Sequence, residues 1–138
     1  MTISKSNLIE GATTGVILDA FHAVHRAFGF GYRELIYSLA MERELKARGR
    51  QVDREVAVMI YYRGEPLARQ TFDMVVDRRV IVEIKTGERL HEEGASAQLF
   101  SYLCSSEIEV GLLLHFGRRP TFHRVICENR LKQRNGHG

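Results

Sequence analysis

The spacing of apolar residues changes along this chain, and that change constrains the fold more than any single motif. From residue 8 to 27 apolar residues recur at three- and four-residue steps, which predicts a helix that ends at Gly29. A second helix is predicted over residues 32–48. From residue 52 to 62 apolar residues alternate with others, the spacing of a β-strand.

The rest of the chain continues the mixture of strands and helices. Strands are predicted over residues 68–76, 80–85, 109–116 and 121–126, with a helix over residues 92–105. The order α-α-β-β-β-α-β-β predicts an α/β fold in which helices flank a mixed β-sheet. The length of 138 residues and the 44% hydrophobic content fit one domain over residues 1–138. Its core would lie at about residues 8–126, followed by a polar, frayed tail at 128–138.

Composition limits the function without defining it. The 20 basic and 17 acidic residues give a net charge of +3, which permits a phosphate-rich partner but does not require one. The two cysteines, Cys104 and Cys127, lack CxxC spacing, so we expect packing thiols rather than a disulfide scaffold or zinc site. The apolar runs are too short to span a bilayer. We therefore expect a cytoplasmic protein with no membrane partner.

The ionisable residues that matter most lie on two consecutive strands. Alternation places Glu83 and Lys85 on one face of the strand over residues 80–85, and Asp73 on a face of the preceding strand with Val75. The opposite face of this hairpin would be entirely apolar. It would carry Phe72, Met74, Val76, Val80, Val82 and Ile84.

Strand register decides whether the acids meet. In one register, the sequence numbers of the two residues in each facing pair add up to 156. Asp73 then lies opposite Glu83, and residues 77–79 form a three-residue loop. If the numbers add up to 155, Asp73 points away from Glu83 and no site exists. We predict the first register, because the second would place a carboxylate on the apolar face. Two carboxylates about 5 Å apart repel, and a hard divalent cation such as Mg²⁺ would keep both ionised.

These residues and their neighbours resemble a known family. Asp73 followed by Glu83-Ile84-Lys85 across a hairpin resembles the active-site signature of the PD-(D/E)XK nuclease superfamily. The segment from Gly31 to Tyr37 fits the GxxExxY pattern for which one protein family is named. The sequences VHR at 24–26, GFG at 29–31 and QLFSYL at 98–103 are also similar to that family. One departure is Phe72, which stands where the superfamily name has proline.

The resemblance implies roles for individual residues. Asp73 and Glu83 would bind Mg²⁺ or Mn²⁺, and the Ile84 carbonyl would be a third ligand. Lys85 would position the attacking water, and Glu34 would add a ligand directly or through water. Two residues on the predicted helix over 92–105 would lie beside the site, namely Gln98 as a catalytic residue and Tyr102 on the substrate side. Tyr37 is a further substrate-side candidate.

Each assignment has a structural alternative. The acids and Lys85 could form a surface ion-pair cluster, and Glu34 could be a glutamate favoured by the helix dipole. Tyr37 is better explained as a half-buried packing residue with a satisfied hydroxyl. Gln98 and Tyr102 fit interface hydrogen bonding equally well. His22 and His25 lack a third residue at ligand spacing and are interpreted as helix-surface or interface histidines.

The functional prediction is a metal-dependent phosphodiesterase, a nuclease that hydrolyses DNA, with RNA as the less favoured alternative for the substrate. The alternative is a nuclease-fold module that binds nucleic acid or a protein without useful turnover. A small-molecule hydrolase is a third, weaker alternative. A domain of this size leaves little room for sequence reading, so specificity would need a homodimer or a partner protein.

Overall fold

The computed structural model describes residues 9–132, and its element order agrees with the sequence-based prediction. The start of the first predicted helix at residue 8 and the end of the tail at 133–138 lie outside the described residues. The helices are α1 Gly11–Phe28, α2 Glu34–Ala47 and α3 Glu92–Cys104, and a short 3-10 turn covers Asn129–Leu131. The strands are β1 Val52–Tyr62, β2 Glu65–Val76, β3 Val80–Thr86, β4 Val110–Phe116 and β5 Pro120–Ile126.

One mixed sheet has the strand order β1-β2-β3-β4-β5. Neighbours are antiparallel except β3 and β4, which run parallel because α3 forms the crossover between them. The carboxyl ends of β3 and β4 therefore lie at the same edge of the sheet. The α/β architecture with a mixed sheet flanked by helices is confirmed.

The two faces of the sheet bury different helices. On one face α1 and α2 pack against the sheet through Phe21, Tyr37 and Met41, which have no exposed surface. On the other face α3 packs through Leu99 and Leu103. The result is a three-layer arrangement in which burial of apolar side chains on both faces supplies the main stabilising term. None of the described helices is long and apolar enough to cross a membrane.

The turn between β2 and β3 is held by Asp77. Asp77 and Arg78 adopt left-handed backbone conformations with φ of 54° and 57°, which cost energy in residues other than glycine. The Asp77 amide donates to the Gln51 carbonyl (2.8 Å), and the Asp77 carboxylate accepts from the Gln51 amide (3.0 Å). It also pairs with Arg50 at 3.0 Å. These contacts fix a three-residue loop at 77–79, which is the loop that the predicted register requires.

The predicted turn at residues 63–66 is shorter in the structure. Arg63 and Gly64, with φ of 52° and 82°, make the reversal alone. Glu65 and Pro66 belong to β2, where Pro66 pairs with Tyr61. Strand β2 therefore begins three residues before the predicted start at Ala68.

The strict alternation predicted along β1 and β2 is wrong at one point. Val52 and Met74 pack with α1 and α2, whereas Val56 and Phe72 pack on the α3 side. On both strands, the apolar side chains switch from one face of the sheet to the other between the pairs Arg54–Met74 and Val56–Phe72. Glu55, which has a φ of 54°, lies at this point of β1. A left-handed residue breaks the period of two. Phe72 and Met74, predicted to share one face of the hairpin, therefore lie on opposite faces of the sheet.

Gly111 tests how tightly α3 packs on the sheet. A Cβ at Gly111 would lie 2.9 Å from Leu99 Cγ and Cδ1, and Leu99 is buried. We expect Gly111→Ala to lower the free energy of unfolding by about 1–3 kcal/mol through overpacking. The matched control is Gly15→Ala in α1, where an added Cβ would have no atom of residues 9–132 within 4 Å apart from its chain neighbours and the backbone of its own helix. That variant should have a free energy of unfolding about 0.5–1 kcal/mol higher than wild type, because alanine favours the helix more than glycine does. Urea unfolding measures both variants, and a change of the same sign in their free energies of unfolding would contradict the packing argument.

Candidate active site

The carboxylates of Asp73 and Glu83 bridge the two strands of the β2–β3 hairpin. The Glu83 carboxylate accepts a hydrogen bond from the Asp73 backbone amide at 3.0 Å. The Asp73 carboxylate in turn accepts one from the Ile84 backbone amide at 2.7 Å. Each acid is thus tied to the strand that carries the other.

The strand register explains why the acids can make these contacts. Paired residues are Met74–Val82, Val75–Ile81 and Val76–Val80, so their numbers sum to 156 as predicted. The pairs between β2 and β3 in the described chain end at Met74–Val82, one residue before the acids. Beyond that pair, the Glu83 and Asp73 carboxylates accept hydrogen bonds from the backbone amides of Asp73 and Ile84. Both acidic side chains therefore lie beside the end of the β2–β3 pairing.

Burial makes both acids hard to ionise, and the charge of Asp73 adds to this effect for Glu83. The pKa of Glu83 is raised to about 7, first by burial and then by the negative charge of Asp73. Burial also raises the pKa of Asp73, although the Ile84 amide, Lys85 and Arg54 act in the opposite direction. A site that resists negative charge in this way is stabilised by any added cation.

Glu34 and Lys85 extend the cluster from two further positions. Glu34 is the first residue of α2, and its pKa is raised by partial burial and then by Asp73. The Lys85 ammonium lowers the pKa of Glu34, Asp73 and Glu83. The four predicted residues therefore share one electrostatic environment, with three acids around one lysine.

Tyr102 and Gln98 lie on α3 at the other side of the hairpin. The Tyr102 ring packs against Phe72 with a centroid distance of 5.2 Å. Burial and then the charge of Glu83 raise the pKa of the Tyr102 phenol, which places it near the acids. Gln98 is exposed one turn earlier on the same helix, and its catalytic role stays a prediction.

Tyr37 is fully buried below the surface. Its hydroxyl donates to the Gly29 carbonyl at 2.6 Å and accepts from the Tyr32 amide at 3.3 Å. Its ring stacks on Phe116 with centroids 4.1 Å apart. This placement matches the packing interpretation, and a side chain with no exposed surface offers a substrate nothing to contact.

The histidines of α1 make packing and hydrogen-bond contacts. His25 Nε2 lies 2.8 Å from the Gly117 carbonyl oxygen, and the His25 ring stacks on Phe116 at 6.3 Å. His22 packs beside Phe21 at 5.2 Å. Both contacts agree with the predicted interface role.

Sequence reasoning missed Arg54 and Glu55 on β1. Arg54 lowers and Glu55 raises the pKa of Asp73. The Arg54 guanidinium also donates to the Ser38 hydroxyl at 3.4 Å, which links β1 to α2. The β1–β2 register would have revealed both residues, because Arg54 pairs with the neighbour of Asp73.

The donor set fits a hard divalent cation. Carboxylate oxygens are the ligands that Mg²⁺ and Mn²⁺ prefer, and the excess of acids leaves net negative charge to neutralise. Within residues 9–132, no three His, Cys, Asp or Glu side chains lie close enough to form a complete metal cage. Asp73 and Glu83 would therefore hold an ion largely as a pair, with water or substrate oxygens completing its shell.

The raised pKa of Glu83 predicts a pH-dependent loss of stability. In the unfolded chain the carboxyl ionises near its ordinary value of 4.5, and in the fold near 7, so stability falls as pH rises through that interval. In metal-free buffer at about pH 8 we expect Glu83→Gln to raise the free energy of unfolding by about 1–3 kcal/mol. The difference should disappear below about pH 4.5, where Glu83 is protonated in both states.

Urea unfolding at the two pH values measures this difference. Glu93→Gln, a substitution of an exposed glutamate in the first turn of α3, is the matched control and should show no comparable pH-dependent gain. A Glu83→Gln variant that is equally stable relative to wild type at both pH values would contradict the burial argument.

Comparison with known proteins agrees with a nuclease-superfamily fold. Residues 12–125 match the description of the PD-(D/E)XK nuclease superfamily. A solved structure described as "Crystal structure of SSO0001" is similar with a TM-score of 0.56 and 23% sequence identity. The similarity covers 67% of this chain and 49% of that one, so this chain spans about half of its length. No curated protein matches.

The mixed sheet flanked by helices is consistent with the nuclease-fold class. Because the match extends from residue 12 to 125, the chain belongs to the PD-(D/E)XK nuclease superfamily. The predicted superfamily is confirmed, and membership of the GxxExxY family within it stays a prediction.

Proposed function

We propose that this chain is a Mg²⁺- or Mn²⁺-dependent phosphodiesterase that hydrolyses DNA, with RNA as the less favoured substrate. The observation that carries the proposal is the convergence of Asp73 and Glu83, each bonded to the other's strand, within the field of Lys85. An ion-pair cluster on a solvated surface would not give Glu83 a pKa near 7. Superfamily membership supports the same reaction class.

Asp73 and Glu83 are the proposed metal ligands. Their oxygens are hard donors, and a bound cation would offset the cost of burying both charges and the repulsion by Asp73 that raises the pKa of Glu83. The Ile84 carbonyl and Glu34 are proposed as further ligands, Glu34 directly or through water. When bound, the metal supplies Lewis-acid stabilisation of charge on the scissile phosphate.

Lys85 is proposed to orient the attacking water and to offset negative charge that develops on the phosphate. The proposal is supported by the fact that the Lys85 ammonium lowers the pKa of Glu34, Asp73 and Glu83, so its positive charge acts on the whole acidic cluster. Tyr102, beside Glu83, and Gln98, one turn earlier, are proposed to contact the substrate from the α3 side.

The direct test is cleavage of plasmid DNA, single-stranded DNA and RNA with Mg²⁺, with Mn²⁺ or with EDTA. We expect cleavage that depends on the divalent ion and falls to background in EDTA. Titration calorimetry with Mn²⁺ should show that Asp73→Asn weakens metal binding by about 10–100-fold. Asp19→Asn, which changes an exposed acid on α1, is the matched control and should bind as wild type does.

The second candidate is a nuclease-fold module that binds nucleic acid without turnover. It is favoured by the fact that one oxygen of each paired acid already accepts a backbone amide and so supports the fold. Retention of nucleic acid without cleavage under every metal condition would select this candidate. Absence of both metal and nucleic-acid binding would reject both candidates.

A further inference from the structure

The two cysteines of this chain meet, although they are 23 positions apart. Cys104 is the last residue of α3, and Cys127 follows β5. Both are free thiols, with the two Sγ atoms 2.7 Å apart. A disulfide bond is about 2.05 Å long, so the sulfurs would need to approach by only about 0.7 Å to be joined.

Ordered backbone holds both cysteines in place. The Cys127 amide donates to the Glu109 carbonyl at 2.9 Å, which fixes the residue beside the entry to β4. Cys104 lies in the last turn of α3, which is closed by the Ser105 amide bonding to Ser101 at 3.1 Å. Cys127 is buried in the cluster that contains Leu99 and Leu103. The contact between the sulfurs therefore follows from the packing of α3 on the sheet.

The geometry favours reaction between the two thiols once one of them has reacted. Burial and the neighbouring Cys127 raise the pKa of Cys104 to about 11, so little thiolate is present at neutral pH, and exchange with an external disulfide should be slow and should accelerate at alkaline pH. Within the described residues no further Cys, His, Asp or Glu completes a metal site around them. A fixed second thiol remains the nearest reaction partner for whichever sulfur reacts first.

We propose that Cys104 and Cys127 are a redox modification site. They form an intramolecular disulfide by thiol–disulfide exchange, with a low-molecular-weight disulfide such as oxidised glutathione as the oxidant. Cys104, the more exposed thiol, loses its proton and attacks the reagent, whose S–S bond breaks and releases one thiol. Cys127 then loses its proton and attacks the mixed disulfide at Cys104, and the second reagent thiol leaves. Two electrons pass to the reagent, whose two sulfurs take up the two protons.

The bond would tie the end of α3 to the end of β5. It closes a loop that contains β4 and β5, and such a cross-link stabilises a fold by restricting its unfolded chain. Helix α3 also carries Tyr102, two residues before Cys104. The oxidised protein would therefore have a fixed last turn directly beside the candidate active site. The proposal does not depend on nuclease activity.

The test uses the full chain in buffers of increasing ratio of oxidised to reduced glutathione, followed by acid quenching and alkylation under denaturing conditions. Intact mass should show wild type passing from two alkylated thiols to none, with the loss of two hydrogen atoms. The midpoint temperature of thermal unfolding should be about 10 °C higher for the oxidised form than for the reduced form.

Cys104→Ser and Cys127→Ser are the matched variants. Each should retain one thiol, form at most a glutathione adduct and show no thermal shift between the two buffers. Because the main comparison is between two redox states of wild type, a variant that folds poorly does not affect it. Stable double glutathione adducts, disulfide-linked dimers alone, or two alkylated thiols throughout the series would overturn the proposal.

Discussion

Replacing Lys85 with methionine is expected to reduce the cleavage rate by about 10²–10³-fold, while metal binding persists. The physical reason is that Lys85 supplies positive charge to Glu34, Asp73 and Glu83 together. Methionine keeps the length and the apolar stem but removes that charge. Single-turnover rates on the preferred nucleic acid measure the effect, and calorimetry with Mn²⁺ checks that the ion still binds.

A matched substitution separates this effect from a general loss of positive charge. Lys46→Met removes a lysine from the exposed face of α2, where it pairs with Glu42 at 3.0 Å. That variant should cleave at nearly the wild-type rate, because an exposed ion pair contributes little. Equal rates for Lys85→Met and wild type would remove Lys85 from the proposed mechanism.

The pH profile of Lys85→Met distinguishes two roles for the ammonium. Lys85 lowers the pKa of Glu83, so its removal should shift that pKa further upward from about 7. If Lys85 acted only by keeping the acids ionised, raising the pH would restore the rate. We expect the rate to remain low at every pH, because orientation of water is lost as well.

The hairpin that carries the site was predictable because its register and its chemistry agree. An ionised acid on an apolar face is costly, so the position of Asp73 favoured the register in which the numbers of facing residues add up to 156. The structure has this register. The loop at 77–79 also had a visible cause, since Asp77 is a residue that turns tolerate with positive φ. These two facts predict that Asp73 and Glu83 lie close, whereas their contacts with backbone amides depend on the end of the β2–β3 pairing, where β2 also changes face.

Strand β1 could not be placed in the same way. The turn at Arg63–Gly64 pairs Tyr62 with Glu65, a sum of 127, yet Ile60 pairs with Ala68, a sum of 128. A bulge between Ile60 and Tyr61 causes the change, and nothing in the alternating sequence marks it. Arg54 and Glu55 were therefore missed, although both act on Asp73.

The contact between Cys104 and Cys127 was equally invisible. Two cysteines at a separation of 23 residues have no spacing that indicates contact, and their meeting depends on how α3 packs across the sheet. The buried state of Tyr37 also depends on packing, because the Phe116 ring that stacks on it comes from a distant strand. Local patterns predict the elements, whereas contacts between layers depend on tertiary packing.

The largest loss of stability is expected for Phe116→Ala. Phe116 has no exposed surface and lies between the helices, with Tyr37 stacked at 4.1 Å and Phe21 edge-on at 4.8 Å. Truncation removes both aromatic contacts and leaves a cavity, which costs about 3–5 kcal/mol of the roughly 5–15 kcal/mol typical of a domain. Urea unfolding followed by circular dichroism measures the loss.

The consequence of this loss extends to the candidate site, because Phe116 supports α2 through Tyr37 and α2 carries Glu34 at its first turn. The matched control is Phe122→Ala on β5, whose side chain is 42% exposed and should cost less than about 1 kcal/mol. A similar cost for both phenylalanines would mean that the aromatic stack does not hold α2 on the sheet. If Phe116→Ala costs the expected amount, its cleavage rate should also fall under conditions where the variant is still folded, because Glu34 would no longer be held where it shares the electrostatic environment of Asp73.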